Sequence, residues 1–439
     1  MLKRLVVNKL GSDFAKFANN SFWLFLEKIL RMGIELFVSI WLARYLGVKD
    51  FGLFNYSIAF VDLFAPLYHL GLPGVVVRDL VTKEEIRNKI LGTAFALKLA
   101  GGTIVLCLAT TTIFMVRPGD TLSCSLIVVI AIGKICNSFE TLDFWFQSQM
   151  QSKYIAVSKT VAFILASFCK IFLIIFHAPL IAFAAIATIE IALSSIGLIF
   201  SYIKCGFSFK SWQPSFIYAK EMLYECCPNL LTTAAIVIQA RIDQAMLGQM
   251  IGDGEVGQYS VAMRLIEAFA FLPSILCQSL FPLISKSKLH SEEIYFKHLT
   301  NTYRLMFIVF ILAAVPIFLF SQSIVLMLYG QEYKTASYLL PLFSIRLFFA
   351  NMGIAKSIFI VNNSLFVFSL FAAISGSLTN VVLNLVLIPH FASIGALWAT
   401  IISFTISVFI VDIFNPKMYK NSRAMLKGIF TPYKISLKL

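Results

Sequence analysis

The amino-acid sequence predicts an all-α integral membrane protein, with about twelve transmembrane helices in two pseudo-symmetric six-helix lobes around a central cavity. Of its 439 residues, 59% are hydrophobic and 13% are charged, whereas about a quarter of the residues in soluble domains are charged. Apolar stretches recur at the length of roughly 20 residues that a helix needs to cross a bilayer. A motif of the first half also returns in the second half, which predicts the two lobes.

Twelve apolar stretches are predicted to be membrane-spanning helices. Gly and Pro residues at 117–120, 252–254 and 389–390 mark turns between them. The tenth stretch has the weakest apolar signal, because Arg346, Asn351 and Lys356 interrupt it. The predicted spans are 18–43, 51–72, 91–115, 122–146, 154–176, 179–203, 228–250, 258–284, 303–328, 337–361, 366–388 and 393–413.

The internal repeat divides the chain into two halves. Leu-Gly at 46–47 and Phe-Gly-Leu-Phe at 51–54 return as Leu-Gly at 247–248 and Val-Gly-Gln-Tyr at 256–259. Each copy lies between the first and second helix of a half, and an even number of helices per half makes the repeat parallel. The predicted domains are an N-terminal lobe (1–203), a basic cytoplasmic linker along the membrane surface (204–227), a C-terminal lobe (228–414) and a basic cytoplasmic tail (415–439).

Lys and Arg are distributed unequally between alternate connections. With the amino terminus inside, the cytoplasmic segments hold twenty-one of these residues, and the opposite side holds four: Arg44, Lys49, Arg117 and Lys334. The positive-inside rule therefore predicts that both termini are cytoplasmic. The same bias accounts for most of the net charge of +14. Membrane topology and contact with anionic lipid explain the basic tail, so nucleic acid is not an expected partner.

The sequence contains no pattern that predicts catalysis, a metal or a cofactor. The eight cysteines show no CxxC or Cys/His spacing, and most lie in or beside apolar runs as small hydrophobic residues. A Gly-rich nucleotide loop, a metal-ligand cluster and a catalytic triad are all missing from the sequence. We therefore predict that the protein is not an enzyme. A membrane polymerase or ligase is the alternative from another class, but it needs a long outer loop to hold an acceptor sugar.

The repeat motifs and their surroundings resemble the polysaccharide transporter family. The first-half motifs are Leu-Ala-Arg-Tyr-Leu-Gly at 42–47, Phe-Gly-Leu-Phe at 51–54, Gly-Leu at 71–72 and Arg-Asp at 78–79. The second-half motifs are Arg-Ile-Asp at 241–243, Leu-Gly at 247–248, the segment 256–265 and Phe-Pro at 281–282. Their order and spacing match in register over nearly the whole chain. Within the family, the sequence is most similar to O-antigen flippases of the Wzx type, and more remotely similar to the lipid II flippase MurJ and to MATE exporters.

This resemblance implies a function in the bacterial inner membrane. It implies that an undecaprenyl-diphosphate-linked oligosaccharide, an O-antigen-type repeat unit, is turned from the cytoplasmic to the periplasmic leaflet by alternating access. The implied partners are this polyprenyl-diphosphate-linked oligosaccharide, membrane lipid, and polymerase and chain-length proteins of the same pathway. MurJ-type proteins carry two additional helices for which this chain has no room, which argues against lipid II as the cargo. The alternative is a MATE-like, gradient-driven exporter of small molecules.

Ionisable residues within the predicted spans are the candidates for function, because a charge is costly in the bilayer and usually faces a cavity. A modest excess of basic residues suits an anionic diphosphate, whose oxygens match the planar fork of Arg. The candidates for binding diphosphate and sugar are Arg31, Lys134, Arg241, Arg264 and Arg346. The candidate carriers of a coupled proton or sodium ion are Asp62, Glu190 and Asp243.

Several of these charges also have a structural interpretation. Four basic residues lie within about two helical turns of a predicted cytoplasmic end, which favours snorkelling of their side chains: Lys98, Lys159, Arg304 and Lys356. The pairs Glu27/Arg31 and Arg264/Glu267 have the spacing of ion pairs within a helix. Three basic residues have no acidic residue at i±3 or i±4 and are the stronger candidates: Lys134, Arg241 and Arg346.

Overall fold

The computed structural model describes the backbone of residues 2–434 and the side chains of residues 29–269 and 271–434. Within this part of the chain the protein is all helical and contains no strand, which confirms the predicted fold class. Short 3₁₀ and π turns join or extend the α-helices. The α-helices are α1 (Leu2–Asp62), α2 (Ala65–His69), α3 (Leu72–Thr82), α4 (Arg87–Val116), α5 (Thr121–Cys136), α6 (Thr141–Ser148), α7 (Ser152–Ile175), α8 (Leu180–Lys204), α9 (Phe216–Met250), α10 (Asp253–His290), α11 (Glu292–Tyr329), α12 (Lys334–Asn362), α13 (Phe366–Thr405) and α14 (Tyr419–Phe430).

The protein is a multi-pass membrane protein. Among the described residues, 9 helical stretches are long and apolar enough to cross a membrane, and the bent pair Ile29–Asp62 with Ala65–Thr82 brings the number to 10. Two of these stretches contain a break, at Gly47 (φ 71°) and at Ala392 (φ 45°). The stretch around Ala392, Phe366–Phe414, has 49 residues, more than twice the roughly 20 that one crossing needs. Division at both breaks gives the predicted twelve segments.

The second predicted span, 51–72, does not form one straight helix. Instead α1 continues to Asp62, and the chain bends by 48° into the pair α2 and α3. Leu70 and Gly71, between α2 and α3, have left-handed backbone angles, and Pro73, which lacks an N–H donor, follows in the first turn of α3. A Cβ at Gly71 would lie 2.8 Å from the backbone nitrogen of Leu230 in α9. Glycine therefore allows both the turn and a close approach of α9.

The chain divides into two compact units. Unit 1 comprises residues 1–45 and 60–233, and unit 2 comprises residues 46–59 and 234–439. The lobes predicted from the sequence place 46–59 in the N-terminal half instead. Close backbone packing explains why this segment belongs to unit 2: a Cβ at Gly52 would lie 1.7 Å from the carbonyl oxygen of Asp253, and one at Gly257 would lie 2.2 Å from that of Val48.

The segment predicted as a linker, 204–227, packs against unit 1. The backbone nitrogen of Gln213 donates to the carbonyl oxygen of Asn88 at 3.2 Å, and that of Ser215 donates to Oγ1 of Thr93 at 3.1 Å. Trp212 also contacts the buried apolar core of unit 1. The remainder of the segment is the first part of α9, so part of the linker is helical and the rest is fixed to α4.

The two ends of the chain are described to different extents. The predicted basic tail contains a short helix, α14, which packs against α11 in the core of unit 2. Residues 435–439 and the side chains of the basic residues at the amino terminus lie outside the described part: Lys3, Arg4, Lys9 and Lys16. The side chain of Glu27, the predicted partner of Arg31, also lies outside it.

Candidate functional site

Two cations share one carboxylate in the helices of unit 1. Nη2 of Arg31, in α1, lies 2.7 Å from Oε1 of Glu190, in α8. Nζ of Lys170, in α7, lies 3.2 Å from Oε2 of the same carboxylate. The Arg31 guanidinium also lies over the ring of Phe163, 4.9 Å from its centroid. The structure therefore brings together two residues that the sequence analysis assigned to different roles, Arg31 for binding and Glu190 for ion coupling.

Arg31 and Glu190 line a polar cavity of about 180 Å³ within unit 1. Its wall also contains Glu140, Asp143 and Lys159, together with amide and hydroxyl side chains. The complete lining is Arg31, Asn137, Glu140, Asp143, Lys159, Glu190, Ile191, Ser194, Ser195 and Leu198. A small cavity lined by both hydrogen-bond donors and acceptors is suited to a polyhydroxylated or charged ligand.

Two acidic residues of this cavity were missed by the sequence analysis. Glu140 accepts from Nζ of Lys98 at 2.6 Å, and Asp143 lies 2.5 Å from Nζ of Lys159. Lys98 is 1% exposed, so it forms a buried ion pair, and the prediction that it snorkels is wrong. Asp143 is 2% exposed, and its Oδ1 has no hydrogen-bond partner among the described residues. The sequence signal that could have identified these two residues is the presence of two carboxylates inside one apolar span.

Lys134 and Asp62 form a further ion pair in unit 1. Nζ of Lys134, in α5, lies 2.9 Å from Oδ1 of Asp62 at the end of α1, and it also lies over the ring of Tyr68. Lys134 therefore has an acidic partner, which comes from another helix and not from the i±3 or i±4 positions considered in the sequence. For either residue to bind cargo or an ion, the ion pair between Lys134 and Asp62 has to separate.

Asp243 is the centre of a buried hydrogen-bond network in unit 2. It lies in α9 and is 1% exposed. Its carboxylate accepts from the Tyr259 hydroxyl at 2.6 Å, from Nδ2 of Asn384 at 2.8 Å and from the Thr400 hydroxyl. Asn380 extends the network to Asn384 and Thr400. Its donors in the described part of the chain are neutral, and Oδ1 of Asn384 is buried there without a donor, so the site is rich in oxygen atoms of the kind that hard cations prefer.

The three remaining candidate cations lie in separate environments of unit 2. Nη2 of Arg264, in α10, donates to Oδ1 of Asn55 at 3.0 Å, and its guanidinium lies over the Phe51 ring. Arg346, in α12, lies over the ring of Phe404. Arg241 is half-buried in α9, two residues before Asp243.

Comparisons with known proteins agree with this architecture. Over 402 residues, the chain is 23% identical to the probable low-salt glycan biosynthesis flippase Agl15 of Haloferax volcanii, an alignment that covers 89% of this chain and 81% of that protein. The fold is similar to the lipid II flippase MurJ in an inward closed conformation, with a TM-score of 0.69 at 16% identity, over 95% of this chain and 92% of that one.

A multidrug resistance MATE transporter of the MOP superfamily in an outward-facing conformation also has a similar fold. Its TM-score is 0.64 at 14% identity, over 94% of this chain and 96% of that one. At these identities the likeness concerns the fold. The family described as polysaccharide biosynthesis protein matches residues 17–288, more than half of the sequence. With this match, the order of the repeat motifs and the all-helical membrane fold, the chain belongs to the polysaccharide biosynthesis protein family.

Proposed function

We propose that the protein flips a polyprenyl-diphosphate-linked oligosaccharide from the cytoplasmic to the periplasmic leaflet of a bacterial inner membrane by alternating access. The proposed cargo is an O-antigen-type repeat unit on undecaprenyl diphosphate. Family membership and a relative named as a glycan biosynthesis flippase support this class of cargo. The observation that carries the proposal is the polar cavity of unit 1, which Arg31 and Glu190 line. Lys170 shares the Glu190 carboxylate with Arg31.

The charges of this cluster suit a diphosphate. A diphosphate diester carries about two negative charges at neutral pH, and Arg31 and Lys170 together carry two positive charges. Arg31 offers a planar fork that can bind two phosphate oxygens at once, and Lys170 offers a point charge. Both cations already hold an oxyanion, the Glu190 carboxylate. In our proposal the cargo diphosphate takes the place of Glu190, while the hydroxyl, amide and carboxylate groups of the cavity bind the sugar.

This replacement would leave Glu190 without its two cations in a poorly hydrated cavity. A buried carboxylate without a counter-charge is costly. We therefore propose Glu190 as a residue that couples cargo binding to an ion. Asp243 is our second candidate for ion coupling, because neutral donors surround its carboxylate. Arg241, Arg264 and Arg346 remain proposed contacts of the cargo in unit 2, and pathway partners such as a polymerase are part of the same proposal.

Binding measurements test this site. We would titrate the purified full-length protein with an undecaprenyl-diphosphate-linked oligosaccharide and compare Arg31→Gln and Lys170→Gln with Lys204→Gln, which removes an exposed charge at the end of α8. The loss of one charge-assisted contact is worth roughly 1.5–3 kcal/mol, so we expect Arg31→Gln and Lys170→Gln to bind about tenfold more weakly or worse. The control should bind like the wild type.

The Glu190→Gln variant tests whether the cargo diphosphate takes the place of the Glu190 carboxylate or binds beside it. If the diphosphate replaces Glu190, the variant should bind the cargo at least as tightly as the wild type. Unchanged binding in Arg31→Gln and Lys170→Gln would contradict the proposed site. Weaker binding of the cargo by Glu190→Gln would contradict the replacement of Glu190 by the diphosphate.

A MATE-like exporter of small molecules is the competing function. The observation in its favour is the similarity of fold to a MATE transporter. A fold of this kind is compatible with several cargoes, so flux measurements have to separate the two functions.

A further inference from the structure

A second cavity lies in unit 2, between the beginning of α11 and the short helix α14. Its volume is about 490 Å³. Five basic side chains line it, and Glu293 is the acidic residue in its wall. The five are Lys297, Arg304, Lys420, Arg423 and Lys427. This excess of positive charge differs from the cavity in unit 1, whose wall contains two basic and three acidic residues.

Within the described part of the chain, the hydrogen bonds of these cations leave most of the positive charge uncompensated. Arg304 is 8% exposed, and its guanidinium donates to neutral acceptors: Oδ1 of Asn301 at 2.8 Å, the Thr431 hydroxyl at 2.9 Å and the carbonyl oxygen of Lys434 at 3.0 Å. Lys420 pairs with Glu292 at 2.8 Å, but both side chains are exposed, and such pairs contribute little. The cavity therefore attracts an anion.

The cavity is held in shape by close packing of α14 on α11. A Cβ at Gly428 would lie 2.6 Å from Cβ of Tyr303 and 3.2 Å from the backbone nitrogen of Arg304, so the two helices nearly touch there. The Tyr303 hydroxyl donates to Oδ1 of Asn421 at 2.8 Å, and Met425 is fully buried on the same face of α14. The basic side chains of α14 therefore project from a fixed helix and not from a loose tail.

Apolar side chains on α14 lie beside the basic ones. Arg423 and Lys427 are one turn apart, and Leu426 and Phe430 form the adjacent stripe on the helix surface. Both apolar residues are exposed, and Phe430 is 76% exposed. A cationic stripe next to an apolar stripe is typical of a helix that lies in the membrane interface. A ligand of this surface should carry a negative charge and an apolar portion at the same time.

We propose that this cavity binds the headgroup of an anionic glycerophospholipid. Its phosphate would contact Arg423, Lys427 and the neighbouring cations, and its acyl chains would lie along the apolar stripe of α14. Basic pockets beside membrane helices on the cytoplasmic side are suited to such headgroups, and the distribution of Lys and Arg predicts that this side is cytoplasmic. The assignment does not depend on the nature of the transported cargo.

Lipid binding to the purified full-length protein tests the proposal. In native mass spectrometry from detergent, dioleoylphosphatidylglycerol should bind more tightly than dioleoylphosphatidylcholine. The double variant Arg423→Gln/Lys427→Gln should reduce this preference about thirtyfold, because each basic residue near a membrane surface contributes about 1 kcal/mol to the attraction of anionic lipid. Lys204→Gln/Lys210→Gln removes two exposed charges from unit 1 and should leave the preference unchanged.

Competition with inorganic phosphate distinguishes a lipid site from a site for a soluble anion. Phosphate at the same concentration as the lipid should not displace phosphatidylglycerol, because it lacks the apolar portion. Displacement by phosphate would overturn the assignment to a lipid. An undiminished preference in Arg423→Gln/Lys427→Gln would overturn the site itself. Both variants change exposed side chains, and an unchanged thermal unfolding midpoint would show that the fold is intact.

Discussion

At the scale of single residues, ion pairs between helices neutralise charges inside the membrane-spanning segments. Lys134 pairs with Asp62, 72 residues away in the sequence, and Arg31 pairs with Glu190, 159 residues away. Lys356 likewise pairs with Asp412 and is buried, so the prediction that it snorkels is wrong. The sequence predicts which charges are unusual, because an ionisable residue stands out in an apolar span. It does not predict their partners, because these pairs depend on how helices pack and not on spacing within one helix.

The pair Lys134 and Asp62 gives a prediction of stability. Lys134→Gln and Asp62→Asn should each destabilise the protein, by roughly 1–3 kcal/mol, because each leaves a charge in a poorly hydrated environment without this partner. The double variant should regain much of the loss, since both charges are then removed. The measurement is the thermal unfolding midpoint of the purified protein in detergent. A double variant that unfolds as early as the worse single variant would show that the pair is not coupled.

At the scale of helices, the breaks are more predictable than the helix contacts. Gly and Pro residues predict the turn between α4 and α5, and Pro389 predicts the break at Ala392 in α13. The short helix α14 was not predicted, since its 12 residues are too few and too polar for a span. The sequence repeat shows that Gly52 and Gly257 occupy equivalent positions. It does not show the helix packing that requires glycine at both positions. Gly52 faces the carbonyl oxygen of Asp253, one helical turn before Gly257. Gly257 in turn faces the carbonyl oxygen of Val48, one helical turn before Gly52.

This reciprocal contact gives a prediction about α1 and α10. Gly52→Ala places a Cβ 1.7 Å from the carbonyl oxygen of Asp253, so the two helices have to move apart. Overpacking costs about 1–3 kcal/mol, and we expect a clear drop of the thermal unfolding midpoint. Gly33→Ala is the matched control on the same helix, because nothing lies within 4 Å of its added Cβ. It should be neutral or stabilising by up to about 1 kcal/mol. Equal midpoints for the two variants would contradict the close contact.

At the scale of the whole molecule, the fold class follows from composition, but the cargo does not. An apolar composition with few charges leaves the membrane as the solvent for most helix surfaces, and the motif repeat indicates two halves. Proteins with the same fold include a flippase and a multidrug transporter. The chemistry of the cavities has to identify the cargo, and the pairing of Arg31 and Lys170 with one carboxylate was not readable from the sequence.

The central claim is that the protein moves a lipid-linked oligosaccharide across the membrane. The most direct measurement uses liposomes that contain the purified protein and an undecaprenyl-diphosphate-linked oligosaccharide, with a lectin outside to report the sugars that reach the outer leaflet. A parallel assay follows the efflux of a cationic dye, and Arg31→Gln is tested in both. We predict protein-dependent transfer of the oligosaccharide, at least tenfold slower in Arg31→Gln, and no dye efflux above that of protein-free liposomes. Dye efflux without transfer of the oligosaccharide would contradict the account.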